Sequence, residues 1–347
     1  MSTSPTYPLR IGVLGCANIA RQFIRDVEPS KAVRVVAVAS RNAQTAQTFA
    51  AEQGVARFHG SYEALLSDAE VDAIYLPLPN SLHAEWAMAA ARSGKHVLCE
   101  KPLALSVADA RAMFAEAKNH GVMLLEGYPW WFQPQTQALQ ALLQGGAIGC
   151  VRGVQASFGF SLGNQQTNIR MKPELGGGAL LDAGSYPLSL IRLVMGEAPE
   201  RVMAQANWSE SGVDISLTAT LSFANGRSAQ LSCAMDTAYH RRATIMGSQG
   251  TIETEYLNHT GNGSSKQHGY LPSELRVRRG TGNTVPFESV AAATGSGFRF
   301  CAEAFAHALA RQDDAAFDRA AQASQDIAAT LEAILKSARK GRAVSLA

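Results

Sequence analysis

The stretch Arg10-Ile11-Gly12-Val13-Leu14-Gly15-Cys16-Ala17-Asn18-Ile19-Ala20 decides how the rest of the chain is read. An apolar run stops at a glycine, and small residues at 17 and 20 lead into a helical pattern. Such a run reads as a short buried strand that turns sharply into a helix. Glycine or alanine at that turn also lets the main chain approach a pyrophosphate, which then rests on the helix N-terminus. Any tight strand-to-helix turn favours small residues, so the motif draws its weight from what surrounds it.

The surroundings repeat the pattern. Apolar segments at 33–40 (VRVVAVAS), 72–79 (DAIYLPLP), 96–100 (HVLCE) and 122–127 (VMLLEG) alternate with helical segments near 43–53, 83–93 and 106–119. Strands separated by helices of this length read as βαβ units on a parallel sheet, apolar on both faces because both are covered. Residues 1–127 are therefore expected to form a Rossmann domain, with its ligand site beyond the carboxyl ends of the strands.

After Gly127 the period changes. A helix at 135–144 is followed by 151–162 (VRGVQASFGFSL) and then by alternating segments at 201–208, 215–223, 228–235, 242–248 and 251–256. Turn signals such as Asn225-Gly226 and Gly247-Ser248 separate them. Alternation at period two with hairpin turns predicts a large, mostly antiparallel open sheet with one covered face. The expectation is a second α/β domain over 128–347, serving substrate binding and oligomerisation. Residues 258–286, rich in Gly, Asn, Ser and Thr, read as surface loops, and alanine-rich helices are expected near 298–311 and 318–339.

Composition narrows the function classes. The chain has 347 residues, 46% hydrophobic and 17% charged, with a formal net charge of +2. That length suits two domains, and that balance gives no electrostatic reason to expect nucleic acid or an anionic membrane as partner. Cys16, Cys99, Cys150, Cys233 and Cys301 are odd in number and lack metal-ligand spacing, so reduced thiols and no metal are expected. No apolar run approaches the roughly 20 residues that span a bilayer. The opening MSTSPTYPLRIGVLG lacks the basic and apolar regions of a secretory signal. A cytoplasmic protein is the expectation, which makes the glycosylation-like Asn258-His259-Thr260 and Asn262-Gly263-Ser264 accidental matches.

Three further strand ends carry candidate chemistry. The second strand ends in Ser40-Arg41, where a site specific for NAD would place a carboxylate. A hydroxyl and a guanidinium suit a 2′-phosphate instead, so NADP is favoured over NAD. The next strand runs into Leu76-Pro77-Leu78-Pro79-Asn80 and then His83, which alone is no more than a stiffened loop and a helix cap. The fourth of the apolar segments ends in Glu100-Lys101-Pro102. A charged pair at the end of a core strand needs partners, because burying either ion unpaired costs several kcal/mol. In the second half, Gly176-Gly177-Gly178 leads to Asp182 and Tyr186, which share a face if the segment is helical.

Taken in this order and at these intervals, Gly15-x-Ala17, Ser40-Arg41, Pro79-Asn80-x-x-His83 and Glu100-Lys101-Pro102 resemble the glucose–fructose oxidoreductase / inositol dehydrogenase (Gfo/Idh/MocA) family of nicotinamide-dependent sugar and polyol oxidoreductases. The resemblance runs over nearly the whole chain, and Glu-Lys-Pro is its most specific short motif. It implies a cofactor held by Gly15, Ala17, Asn18, Ile19, Ser40, Arg41, Leu76, Pro77, Asn80, His83, Glu100 and Lys101. It also implies that Lys101 reaches the reacting carbon–oxygen group and that the peptide bond after it is cis. Tyrosine at 186, where many members carry histidine, resembles the branch with NADP-dependent xylose and dihydrodiol dehydrogenases. In Glu126-Gly127-Tyr128-Pro129-Trp130-Trp131 the sequence departs from that branch, which usually has arginine where Trp131 stands.

The expected activity is hydride transfer between a nicotinamide and a hydroxyl-bearing carbon of a sugar or polyol, with an aldose such as D-xylose as substrate. Lys101 and Tyr186 are the expected catalytic groups, in roles that the sequence leaves interchangeable, and Asp182 orients one of them or the substrate. Tyr128, Trp130, Arg170, Asp182 and Tyr186 are the expected substrate contacts. A dihydrodiol dehydrogenase, an aldose–aldose oxidoreductase, a keto-sugar reductase and a non-catalytic nucleotide-sensing regulator stand as alternatives. A homodimer or homotetramer formed through the open sheet face is expected by resemblance, and an uncovered apolar face would itself favour association.

Overall fold

The computed structural model describes residues 8–164, 167–258 and 273–346, so about half of the expected loop region at 258–286 and the glycosylation-like triplets, Asn258 apart, lie outside the described residues. The described part of that region holds a strand, Leu275–Arg279, where loops were expected. The chain opens with β1 (Leu9–Leu14), α1 (Asn18–Val27), β2 (Val33–Ala39), α2 (Ala43–Gln53), β3 (Arg57–His59) and α3 (Tyr62–Leu66). It continues with β4 (Ala73–Leu76), α4 (His83–Arg92), β5 (His96–Glu100), α5 (Val107–Asn119) and β6 (Leu124–Gly127). All six strands run parallel in the order β3-β2-β1-β4-β5-β6. This is the doubly wound order, which reverses between β1 and β4 and opens a crevice at that point.

Local chemistry sets the element boundaries. The side chains of Asn42, Ser61 and Ser106 accept backbone N–H groups at the starts of α2, α3 and α5. Strands β4, β5 and β6 are buried along their whole length, as a sheet covered on both faces requires. The short β3 and α3 went unforeseen, since three strand residues and five helical ones are too few to show a period.

Residues through Pro129 form one compact unit together with Phe298–Gln325, and Trp130–Gly297 with the residues from Asp326 onward form the other. The sequence placed a single boundary at 127; the chain instead returns to the first unit near its end. The reason lies in packing. Phe23 of α1 stacks on Tyr75 of β4, with ring centroids 3.8 Å apart, and meets Phe298 edge-on at 6.4 Å. A contact between positions 23 and 298 leaves no trace in any local pattern.

The second unit contains α6 (Pro134–Gln144), β7 (Val151–Ser161), α7 (Ser185–Met195), β8 (Arg201–Trp208), β9 (Asp214–Ser222) and β10 (Ser228–Ala234). After these come β11 (Asp236–Gly247), β12 (Gly250–Thr254), β13 (Leu275–Arg279) and β14 (Glu288–Ser289). Two helices follow, α8 (Gly297–Arg311) and α9 (Asp314–Lys340), and then β15 (Val344–Ser345). Nine strands form one sheet in the order β14-β13-β12-β11-β7-β10-β9-β8-β15, and only the β7–β10 pair is parallel. Burial alternates along β8 and β10, so one face is covered and the other open. That open face carries Gln155, Ser157, Gln205, Thr218, Thr220, Gln230, Ser232 and Thr244. It is polar, with Met203 its exposed apolar exception, and the apolar open face considered from sequence is not found.

Phe23→Ala removes a fully buried ring from between two aromatic neighbours. It should lower stability by about 3–5 kcal/mol, read as a shift in the urea midpoint. A loss below about 1 kcal/mol would mean that this cluster does not carry the core of the first unit.

Candidate functional site

The first cluster of site residues lies at the carboxyl ends of the parallel strands. Gly15 has φ +122°, its N–H donates to the Ala39 carbonyl, and a Cβ there would sit 2.8 Å from Leu78 Cδ2. Only glycine meets that combination of backbone angle and space. Ala17 precedes α1 in extended conformation without a side-chain cap, and Asn18 and Ile19 form its first turn. Small residues and an uncapped helix start fit a dinucleotide pyrophosphate. Ser40 and the exposed Arg41 follow β2 with no carboxylate beside them, and Arg41 is close enough to the Tyr62 hydroxyl to interact with it. Leu76 and Pro77 are buried, so they offer a cofactor main-chain atoms only, and Asn80 opens a single 3₁₀ turn before α4.

Lys101 leaves the end of β5 in a turn whose Lys101–Pro102 bond is cis. Two buried side chains grip this turn. His83 is fully buried, with Nδ1 2.9 Å from the Pro102 carbonyl and Nε2 2.8 Å from the Leu78 carbonyl. Burial holds the imidazole below its ordinary pKa, and although both carbonyls pull upward, the nearby Lys101 charge adds to the lowering. A neutral ring can donate to only one of the two carbonyls. On the other side Glu126, 1% exposed on β6, accepts the Leu103 N–H at 2.8 Å. Glu100, the last residue of β5, accepts the Tyr75 hydroxyl at 2.7 Å.

These contacts correct part of the expected cofactor set. His83 has both ring nitrogens committed inside the protein, and the Glu100 carboxylate faces inward to Tyr75. Both shape the turn that carries Lys101 rather than present side chains to a ligand. Glu126 was not foreseen as a site residue, although a lone carboxylate inside the apolar VMLLEG segment was the available signal.

The second cluster belongs to the other unit. The run Gly176-Gly177-Gly178 is explained by crowding, since a Cβ on Gly177 would collide with the Arg170 carbonyl and one on Gly178 with the Asp214 carboxylate. Asp214 Oδ2 accepts the Leu180 N–H at 2.6 Å. The chain then winds through a π turn, Leu180–Gly184, into α7, rather than the uniform helix the sequence suggested. Such widened turns recur at functional sites. Asp182 within it pairs with Arg170, Nε to Oδ2 at 2.5 Å. Tyr186 lies at the start of α7, where its hydroxyl oxygen receives the Asn258 side-chain N–H at 2.8 Å.

Two expected substrate contacts are core side chains. Trp130 is fully buried, donates its indole N–H to Ser189 at 2.9 Å and packs edge-on to Tyr256. Tyr128 is fully buried. Both lie beneath the surface that a substrate could touch. Asn258 and Arg241 beside Tyr186 were missed, because single polar residues in a loop and in a strand give no local signal. Among the described residues no group of acidic, histidine or cysteine side chains is arranged to hold a metal, and no helix is long and apolar enough to cross a membrane.

Glu126 supplies a test of this geometry. Burial pushes its carboxyl up to about 7 from an ordinary 4.5, against the opposing pull of Ser324, the Leu103 amide, Tyr128 and the Lys101 charge. Between those two values the folded protein holds a proton that the unfolded chain has lost, so stability falls as pH rises through that window. Glu126→Gln abolishes this titration. Its stability relative to the parent should rise by up to about 3 kcal/mol from pH 5 to pH 8. Denaturant curves at both pH values check this, and an equal offset at the two would contradict it.

Comparison with known proteins agrees with both units. Residues 9–128 match a family model described as "Oxidoreductase family, NAD-binding Rossmann fold", and residues 136–253 match the GFO/IDH/MocA C-terminal domain. The chain is 33% identical over 339 residues to a D-xylose 1-dehydrogenase (NADP(+)) of Haloferax volcanii, covering 97% of this chain and all of that one. It is 34% identical over 245 residues to a trans-1,2-dihydrobenzene-1,2-diol dehydrogenase of Xenopus tropicalis, covering 70% of this chain and 74% of that one. Among solved structures it superimposes with TM-score 0.83 and 30% identity on a 3-ketoreductase from Actinomadura kijaniata in complex with NADP and TDP-benzene, covering 95% of this chain and 98% of that one. With its phosphate-binding turn, its Glu-Lys-Pro turn and both domain models accounted for, this chain belongs to the Gfo/Idh/MocA oxidoreductase family.

Proposed function

We propose that this protein is an NADP-dependent oxidoreductase that interconverts a hydroxyl and a carbonyl on a sugar or polyol, with an aldose oxidised at C1, such as D-xylose, as first candidate. The observation that carries this reading is the set of strand ends in the first unit: the Gly15 turn, Ser40-Arg41 after β2, and Lys101 on a turn gripped by His83 and Glu126. The NADP-dependent D-xylose dehydrogenase aligned over 97% of the chain supports the same cofactor and substrate class.

The roles follow from charge and reach. Ala17, Asn18 and Ile19 offer the start of α1 to the pyrophosphate, and Arg41 with Ser40 takes the 2′-phosphate. When bound, NADP takes a hydride with its two electrons from the substrate carbon, or returns them. Oxidation turns C–OH into C=O, so the hydroxyl proton has to leave as well. To take that proton Tyr186 stands as the phenolate, and in the reverse direction the phenol gives it back; Lys101 stabilises the negative charge that grows on the substrate oxygen. Asp182, fixed by Arg170, orients the substrate hydroxyls. A second reading, reduction of a keto sugar, uses the same residues in reverse and is favoured by the similarity to a 3-ketoreductase. Assembly as a homodimer or homotetramer through the polar open sheet face, in the cytoplasm, completes the proposal.

The deciding assay follows reduced-nicotinamide absorbance with NADP or NAD across aldoses, polyols, a dihydrodiol and, with NADPH, keto sugars. NADP-linked turnover of an aldose supports the first reading, and turnover of keto sugars alone moves the assignment to the second. Silence on every substrate despite tight NADPH binding would sink both in favour of a regulator. Lys101→Met should keep NADPH binding and lower kcat roughly 10²- to 10⁴-fold. Arg41→Asp should cut kcat/KM with NADP at least about tenfold and spare NAD, since a carboxylate repels the 2′-phosphate. Unchanged activity in folded Lys101→Met, or unchanged cofactor preference in Arg41→Asp, would remove that residue's role.

A further inference from the structure

Arg241 on β11 is a buried cation in the second unit. It is 9% exposed, its Nε is buried without a hydrogen-bond partner, and no carboxylate pairs with it among the described residues. Burying a guanidinium costs several kcal/mol unless something opposes its charge. What it faces is aromatic. Its Cζ lies 4.0 Å from the ring centroid of Phe158, 4.6 Å from that of Tyr186 and 5.8 Å from that of Tyr256. Ring quadrupoles return part of that cost. Among these rings, only that of Tyr186 belongs to a proposed proton carrier. Phe158 cannot ionise, and the Tyr256 hydroxyl is tied to the Ser157 carbonyl at 2.7 Å.

Asn258 reaches the same phenol from a different part of the unit. Its Nδ2 is 2.8 Å from the Tyr186 oxygen, and the residue is 8% exposed. Its backbone is pinned: the carbonyl accepts the Gln133 side chain at 2.8 Å and the Gly297 N–H at 2.6 Å. Gln133, itself buried, also donates to the Gly295 carbonyl at 2.9 Å. An amide held in this way and donating into the phenolic oxygen leaves the hydroxyl hydrogen of Tyr186 to point elsewhere. A donor aimed at the oxygen also stabilises the negative charge that the phenolate form carries there.

We propose that Arg241 and Asn258 are positioning residues for proton transfer by Tyr186, the guanidinium opposing the negative charge of its phenolate form and the amide directing the hydrogen of its phenol form away from the core. This rests on the reading of Tyr186 as the proton-transfer group. The unpaired cation is thereby accounted for as an electrostatic element prepared for the transition state. The arrangement sits wholly inside the second unit, so Tyr186 is prepared there whether or not a ligand is present.

The test is a double-mutant cycle on kcat with the best substrate, using Tyr186→Phe, Asn258→Leu, Arg241→Met and Arg241→Lys. Far-UV circular dichroism and NADPH fluorescence verify that each variant is folded and binds cofactor. Asn258→Leu and Arg241→Met should each lower kcat roughly 10- to 100-fold with little change in KM, and should raise the solvent deuterium isotope effect as proton transfer becomes limiting. Arg241→Lys, which keeps the charge, should recover most of the loss. In the Tyr186→Phe background neither substitution should cost more, because the group they serve is gone. Additive losses in that background, or equal losses for Met and Lys at 241, would overturn the proposal. Full activity in Tyr186→Phe itself would instead overturn the underlying reading of the phenol, which keeps the two failures apart.

Discussion

The turn that follows β5 is held from opposite sides by His83, on the Pro102 carbonyl, and Glu126, on the Leu103 N–H. A cation at the end of a buried strand is otherwise an unstable arrangement, since the strand's neighbours are apolar and cannot solvate it. Here the backbone around Lys101 is fixed by polar side chains that are themselves buried. Everything proposed for the first unit depends on this. The sheet order supplies the crevice, the Gly15 turn shapes one wall, and the gripped turn sets where the charge stands.

The second unit solves a related problem by different means. Its wide sheet covers one face and leaves the other polar, so its rigidity comes from the covered side, where α7 carries Tyr186. The glycines at 177 and 178 allow the chain to pass against the Arg170 carbonyl and the Asp214 carboxylate. Packing that tight fixes the π turn at Leu180–Gly184, and through it the start of α7.

Much of the architecture could be read from period and punctuation. Strands β1, β2, β4, β5 and β6 and helices α1, α2, α4 and α5 stand where the alternating apolar and helical patterns placed them, and the antiparallel segments of the second unit follow their period-two alternation. What failed to show was either too short or too distant. β3, β14 and β15 have two or three residues each, fewer than a periodic signal needs, and β13 lies within the stretch whose Gly, Asn, Ser and Thr content read as loops. The packing of Phe298 on Phe23 joins positions that no window spans. For the proposed site, Lys101, Asp182 and Tyr186 are the residues that motif and spacing single out. Trp130 was misread as a surface contact, since an aromatic residue looks alike in sequence whether it faces a ligand or Ser189. Arg241 and Asn258 act through a neighbour in space, and sequence carries no mark of that.

The return of residues 298–325 to the first unit bears on how the chain is made as well as on how it stands. During synthesis the residues through Pro129 leave the ribosome first, and the 168 residues from Trp130 to Gly297 must follow before Phe298 can reach Phe23. At ribosomal speed that interval is roughly 10–30 s. For that time the nascent Rossmann sheet stands with part of its core uncovered, and Glu126 lacks its Ser324 neighbour. Closing so long a loop is the slow kind of contact. The nucleotide-binding half, first to be translated, is therefore among the last parts of the molecule to be completed.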